Sequence, residues 1–324
     1  MSLVLDSGTE AASARRRVGV ATCCLILATA FWGLGFTWGK SAQSTINLAG
    51  PGEHSGVGPL LFLSVRFLLA GLIWTALFWR RTSFGWSGGT VLRSVLLGIL
   101  LGGGMILQHL ALDRSTEAVT AFLTTLSIVF VPIIALVVHR RLPHWATLLG
   151  IGIALVGMWR LTGGSPRGMG TGEWLGVGCA VVFSIHLFLI NITVKSDSPW
   201  RMTAGQFVVV GFMCLAVLAC LQDGTAYLHP AEVQRLFGQP GVLRQLALMV
   251  VLPTIGAFAL MMFFQPWLDP TRAALIYLLE PIWASAFAWV AAGKAMSGAE
   301  MQGAALILGA NGLVELLAAR RARR

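Results

Sequence analysis

The chain has 324 residues, of which 56% are apolar and 11% charged, with a formal net charge of +10. A soluble domain carries about 25% charged residues, so a large soluble enzyme, a disordered chain and a disulfide scaffold are all excluded. The bases sit in short clusters between apolar runs, which points to a bilayer rather than to nucleic acid as the partner.

Arg15-Arg16-Arg17 precede the first apolar run, and no hydrophilic mature domain follows. They therefore mark an uncleaved first span rather than a removed leader. In chain order the apolar segments are 18–39, 59–79, 91–111, 117–138, 145–160, 173–194, 202–221, 245–265, 272–291 and 300–318. Each is expected to be helical, because an open sheet would leave backbone groups unpaired in lipid. Trp38, Trp79, Trp145, Trp174, Trp200 and Trp267 fall near expected span ends, where aromatic anchors belong. Glycines at small-xxx-small spacing, such as Gly98/Gly102 and Gly172/Gly176, suit close helix packing. The outer segment 222–243, with Asp223, Tyr227, His229, Glu232 and Arg235, reads as a short interfacial helix.

With the N-terminus inside and ten crossings, fifteen bases fall on the inner side and seven on the outer, with Arg66 inside a span. That bias puts both termini in the cytoplasm and favours an even number of spans; eight spans would keep the same termini. The five cysteines, Cys23, Cys24, Cys179, Cys214 and Cys220, lie in apolar runs without CxxC or Cys/His spacing. They read as small buried residues, so neither a metal site nor a cofactor is expected. The chain also lacks a nucleophile elbow, a Walker lysine loop and a His-Glu-x-x-His motif.

The halves echo each other. Gln108, near the end of the third segment, is followed by Ala121-Phe122-Leu123 and then by Pro132. Gln265, near the end of the eighth, is followed by Ala274-Leu275-Ile276 and then by Pro281. Five spans per half is an odd number, so the halves cross in opposite senses. Such inverted repeats are a transporter architecture. The expected fold is thus an all-α integral membrane protein with ten transmembrane helices in two inverted five-helix repeats, residues 1–160 and 161–324.

Ala30-Phe31-Trp32-Gly33-Leu34-Gly35-Phe36, Arg66-Phe67-Leu68-Leu69-Ala70 and Thr271-Arg272-Ala273-Ala274-Leu275-Ile276-Tyr277-Leu278-Leu279-Glu280-Pro281 resemble motifs of the EamA type in the drug/metabolite transporter superfamily. Glu173, in Thr171-Gly172-Glu173-Trp174, sits where such sequences open their second repeat. The resemblance spans nearly the whole chain. It implies a secondary carrier of small metabolites, often amino acids or drug-like compounds, in the cytoplasmic membrane of a bacterium. Where that family often has Gly-Glu-Arg-Leu, this chain reads His139-Arg140-Arg141-Leu142 and Gly293-Lys294-Ala295-Met296, so any role of those acids does not transfer.

Several residues could carry chemistry. Glu280 lies about eight residues, or ~12 Å, into its span; it could hold a proton, bind a cationic group, or fix helix contacts as a buried acid. Pro281 beside it leaves the Tyr277 carbonyl without a helical donor. Arg66 could bind a carboxylate, pair with Glu280 or snorkel outward. His186 suits proton exchange, or it is a satisfied core histidine; Asn191 lies about 140° away around the same helix. Gln108 and Gln265 could bond a ligand or another helix. Trp32, Tyr277 and Trp283 could line a cavity or simply pack.

The expected substrate or coupling residues are thus Glu280, Arg66, His186, Gln108, Gln265, Tyr277 and Trp32, with no catalytic residue and no metal ligand. The expected partners are a small-molecule substrate and the lipid bilayer, not nucleic acid; a homo-oligomer is compatible with the sequence. The expected function is export of a small metabolite by alternating access. The alternative is a membrane enzyme acting on a lipid, but His54, His109, His139, His144, His186 and His229 are scattered rather than gathered at one membrane face.

Overall fold

The computed structural model describes residues 2–50, 56–115, 117–140, 145–161, 170–222, 224–292 and 297–321. His54, Arg141, His144, Arg167, Asp223, Lys294, Arg323 and Arg324, all named above or counted among the bases, lie outside the described residues. The described residues are helical, with no strand among them.

Helix α1 runs Ser2–Ala49, α2 Val57–Leu77, α3 Gly88–Arg114, α4 Glu117–Thr125, α5 Ser127–His139, α6 Trp145–Leu161 and α7 Thr171–Thr193. Then follow α8 Pro199–Cys220, α9 Pro230–Phe237, α10 Val242–Met249, α11 Ala257–Phe264, α12 Pro270–Tyr277, α13 Glu280–Ala292 and α14 Gly298–Arg321. Seven stretches are long and apolar enough to cross a membrane: Ser13–Ala49, Val57–Leu77, Gly88–Arg114, Val119–Val138, Thr171–Thr193, Pro199–Cys220 and Val242–Trp267. Trp145–Arg160 and Met301–Val314 are shorter apolar helices.

Three expected spans are not continuous α-helices. The fourth breaks at Leu126, whose N–H donates to the Leu123 carbonyl at 3.1 Å instead of four residues back. The ninth breaks at Leu278 and Leu279, which donate to Leu275 at 3.2 Å and Ile276 at 3.0 Å. Pro281 explains the second break, because its ring clashes with the carbonyl four residues earlier and it offers no N–H. The eighth widens into a π-helical turn over Val250–Gly256, with Pro253 inside it. The first span also departs from expectation, since its helix begins well before Val18 and carries exposed Arg15, Arg16 and Arg17 on an extension.

Caps place several ends. The Ser87 hydroxyl accepts from the Thr90 N–H and starts α3. Asp269 accepts from the Thr271 N–H, with Pro270 as the first residue of α12. Glu173 accepts from the Gly170 N–H and from the Ser115 hydroxyl, which fastens the start of α7 to the end of α3. Within 222–243 the described part is a 3₁₀ turn, Gly224–Leu228, and the amphipathic α9, which buries Leu236 and Phe237.

The packing repeats when the two halves are exchanged. Helix α1 packs on α13 and α11, and α7 packs on α5, α4 and α3. Helix α2 pairs with α8, and α6 pairs with α14. The last pair shares an apolar cluster with the two broken spans, in which Ile151, Met158, Ile307 and Val314 meet Ile128, Leu275 and Leu278. Close approach depends on glycine at two instructive points. A Cβ on Gly98 of α3 would lie 2.6 Å from the Val209 Cβ of α8, and one on Gly33 of α1 would lie 2.6 Å from the Trp283 Cβ of α13. Of the expected aromatic anchors, Trp79, Trp145, Trp174 and Trp267 are exposed, whereas Trp200 stacks on buried Trp74 with centroids 5.5 Å apart.

Candidate functional site

A cavity of ≈ 80 Å³ lies inside the bundle, walled by α1, α2, α3, α7, the π-turn with its flanking helices, and the two broken spans. Space on that scale holds a few ordered waters or a small ligand. Each broken span supplies polar groups from its break: Thr124, Thr125 and Ser127 from one, Tyr277 and Glu280 from the other. Glu280 is 9% exposed and stands in the first turn of α13, where the positive end of the helix dipole favours a carboxylate.

Arg66 reaches the cavity from α2. It is 3% exposed, so it does not snorkel. Its Nε donates to Thr254 Oγ1, and its guanidinium lies 5.2 Å from the Phe67 ring centroid. Thr254 Oγ1 donates to the Met249 carbonyl at 2.8 Å. Arg66 and Glu280 line one cavity, yet no ion pair joins them among the described residues. The pairing entertained from sequence is therefore not made.

The π-turn holds a second wall residue. Trp32 Nε1 of α1 donates to the Pro253 carbonyl at 3.1 Å. Its ring meets Tyr277 edge-on, with centroids 5.3 Å apart, and Phe258 at 5.5 Å. The Tyr277 hydroxyl donates to Gln265 Oε1 at 2.8 Å. Gln265 Nε2 donates to the Leu187 carbonyl at 2.8 Å and to Asn191 Oδ1 at 2.7 Å. Asn191 Nδ2 then donates to the Leu268 carbonyl at 2.7 Å. Gln265 is fully buried behind Tyr277 and lies outside the cavity wall; it ties helices together and sets the tyrosine.

Gln108 Nε2 donates to Thr124 Oγ1 at 3.3 Å, which links α3 to the broken fourth span. His186 lies on the cavity with Nε2 hydrogen-bonded to Gln206 Oε1 at 3.2 Å. Trp283 is not in the wall; its Nε1 donates to Thr29 Oγ1 at 3.1 Å.

Of the seven residues expected from sequence, the cavity wall contains Glu280, Arg66, His186, Gln108, Tyr277 and Trp32. Sequence reasoning missed Thr254, the seat of Arg66, although a Pro-Thr pair inside an apolar run was its signal. It also missed His109, a wall residue whose Nδ1 is hydrogen-bonded to Gln43 Oε1 at 2.9 Å. The rest of the wall is mainly apolar, with the thioethers of Met105, Met249 and Met261. No cluster of metal-ligating side chains occurs among the described residues.

The two ends of the bundle are tied together by different chemistry. At the end of α1, Lys40 Nζ donates to the Ser115 carbonyl at 2.9 Å and Asn47 Nδ2 to Asp113 Oδ1 at 2.9 Å. At the far end, Trp200 packs among Trp74, Phe78 and Phe263, with Arg81 over its ring at 5.6 Å. Beside it Asp197 pairs with Arg93 at 3.3 Å and Arg201 at 3.1 Å.

Known proteins supply a comparison. The model of the EamA-like transporter family matches residues 20–163 and again residues 170–315. An uncharacterized transporter of Archaeoglobus fulgidus is 24% identical over 284 residues, covering 88% of this chain and 82% of that protein. A solved crystal structure is similar at TM-score 0.68 and 18% identity, covering 93% of this chain and 98% of its own; it speaks to the fold alone.

Proposed function

This chain belongs to the EamA-like transporter family and is a two-repeat, multi-pass membrane transporter, and from that premise we propose that it exports a small amphiphilic zwitterion, an amino acid or drug-like compound, across the cytoplasmic membrane by alternating access. The observation that carries the reading is the cavity, where a cation and a carboxyl group share a mainly apolar wall without neutralising each other. A ligand bearing opposite charges would meet Arg66 with its anionic end, through a bidentate contact, and Glu280 with its cationic end. His186, Gln108, Tyr277 and Trp32 would orient it, with Gln265 behind them.

The proposal has ten spans in two inverted five-helix repeats, 1–160 and 161–324, with both termini in the cytoplasm. The exchange-symmetric packing of α1 and α7 supports it, as do the paired breaks at Leu126 and Leu278–Leu279. Broken spans meeting at a central site are a transporter device. The unlike contacts at the two ends support a pathway that opens one end at a time.

Counterflow in proteoliposomes tests this, with a panel of amino acids, nucleobases and cationic drugs, each with and without a pH gradient. Saturable exchange of a zwitterion is expected, and Glu280→Gln is expected to impair it with expression unchanged. Exchange at the wild-type rate in that variant would remove Glu280 from the site. Absence of counterflow for every zwitterion in the panel would overturn the substrate class.

A further inference from the structure

A second groove lies on the outside of the bundle, where α2, α3 and α8 meet, and it shares no wall residue with the central cavity. Its volume is ≈ 490 Å³, and Thr75, Trp86, Val91, Ser94, Gly205 and Val208 are in its wall. Gly205 lets α8 approach α3 closely at the side of the groove. A Cβ there would come within 2.6 Å of the Ser94 Cβ and 3.2 Å of the Trp86 ring.

Two features of the groove are out of keeping with bare packing. The Ser94 hydroxyl is buried and has no hydrogen-bond partner among the described residues. A serine in mid-helix ordinarily satisfies itself on the carbonyl four residues back, and this one does not. The chain segments that flank the groove are also basic. The turn that brings Thr82 and Ser83 into the wall carries exposed Arg80 and Arg81, and Arg93 and Arg201 lie close by, held by Asp197. Exposed Trp86 is in the wall, and exposed Trp79 and Phe84 belong to the same short connection between α2 and α3; such residues mark the depth of lipid headgroups.

An apolar trough facing hydrocarbon, an unmet hydroxyl at its base and an excess of guanidinium at headgroup depth have one complement. We propose that this groove is a binding site for a single anionic phospholipid. An acyl chain lies along Val91 and Val208, a glycerol-ester carbonyl accepts from Ser94 Oγ, and the phosphate meets Arg80 and Arg81. Basic pockets between membrane helices select anionic headgroups by the same electrostatics.

Native mass spectrometry of the detergent-purified full chain tests the site, with phosphatidylglycerol and phosphatidylcholine added in equal amounts. Wild-type protein is expected to retain the anionic lipid over the zwitterionic one by roughly tenfold. Arg80→Gln with Arg81→Gln is expected to bring that ratio near unity. Val91→Trp, at a half-exposed position in the wall, is expected to lower retention of both lipids. Inorganic phosphate is expected not to displace the bound lipid. Equal retention of the two lipids by wild-type protein would overturn the proposal without recourse to any variant. So would unchanged selectivity in the double variant, or displacement by phosphate, which would make the groove a site for the free anion.

Discussion

Arg66 and Thr254 stand 188 positions apart in the chain, and they meet side chain to side chain inside the bundle. The contact exists because the π-helical turn of Val250–Gly256 turns the Thr254 hydroxyl toward α2 while its own proton goes to the Met249 carbonyl. Insertions of this kind recur at functional sites. Thr254→Val keeps the shape and removes the acceptor. It should destabilise the protein by about 1–3 kcal/mol, because a charged donor is left unmet in a buried place. The melting temperature in detergent should fall, and Thr254→Ser should restore it. A valine variant as stable as wild type would show that Arg66 finds another seat.

Gln265 is the joint of a chain running from Tyr277 to Asn191. Gln265→Leu should leave the tyrosine hydroxyl and the asparagine each short of a partner, at a cost of about 2–4 kcal/mol. Purified yield and melting temperature read this directly. A variant with wild-type stability but altered counterflow would instead place Gln265 in contact with substrate.

Asp197 supplies a pH dependence whose sign is fixed. Burial opposes its ionisation, but hydrogen bonds from Thr90, the Ser198 N–H and Arg201, with the Arg201 charge, outweigh that and hold the carboxyl below its ordinary 3.8. A folded-state value below the unfolded one contributes stability above the unfolded value, and the contribution disappears as pH falls through the folded value. The advantage of wild type over Asp197→Asn should therefore be full at neutral pH, about 1–2 kcal/mol, and should shrink below about pH 4. Melting curves of both proteins across that range check it. A gap that widens on acidification would contradict it.

Gly33→Ala should destabilise by about 1–3 kcal/mol through overpacking, because the new methyl meets Trp283 across the α1–α13 contact. Gly19→Ala, with open space around that position in the same helix, is the control and should melt at or slightly above wild type, because alanine is the better helix former. Equal melting temperatures for the two variants would show that α1 shifts freely against α13.

Hydropathy located seven of the ten expected segments as helices long and apolar enough to cross a membrane and two more as shorter apolar helices, while the ninth is divided between two helices; lipid imposes length and composition together. Arg66 and Glu280 were visible for the same reason, as isolated charges in long apolar runs. Pro281 announced the break at Leu278, whereas the one at Leu126 was not legible, because a 3₁₀ step without a nearby following proline is chosen by what the freed groups meet in three dimensions. Pro253 and Thr254 hid within a segment that stays apolar on average, so the turn they build was missed. From sequence His109 is only one of six scattered histidines, since nothing in its position near the end of the expected span sets it on a cavity. Gln265 read as a group for ligand or helix, and only the positions of Leu187, Asn191 and Tyr277 distinguish the two.

The first long helix is unbroken over Ser13–Ala49, 37 residues, or about 55 Å at 1.5 Å per residue. It carries Trp32 near its middle and makes the Lys40 and Asn47 contacts toward one end. Under the proposed alternating access, a stiff rod of that length would work as a lever: a tilt of about 10° around its midpoint swings its tips roughly 5 Å in opposite directions. Loosening one mouth and tightening the other need not be two coordinated events, because a single seesaw can do both.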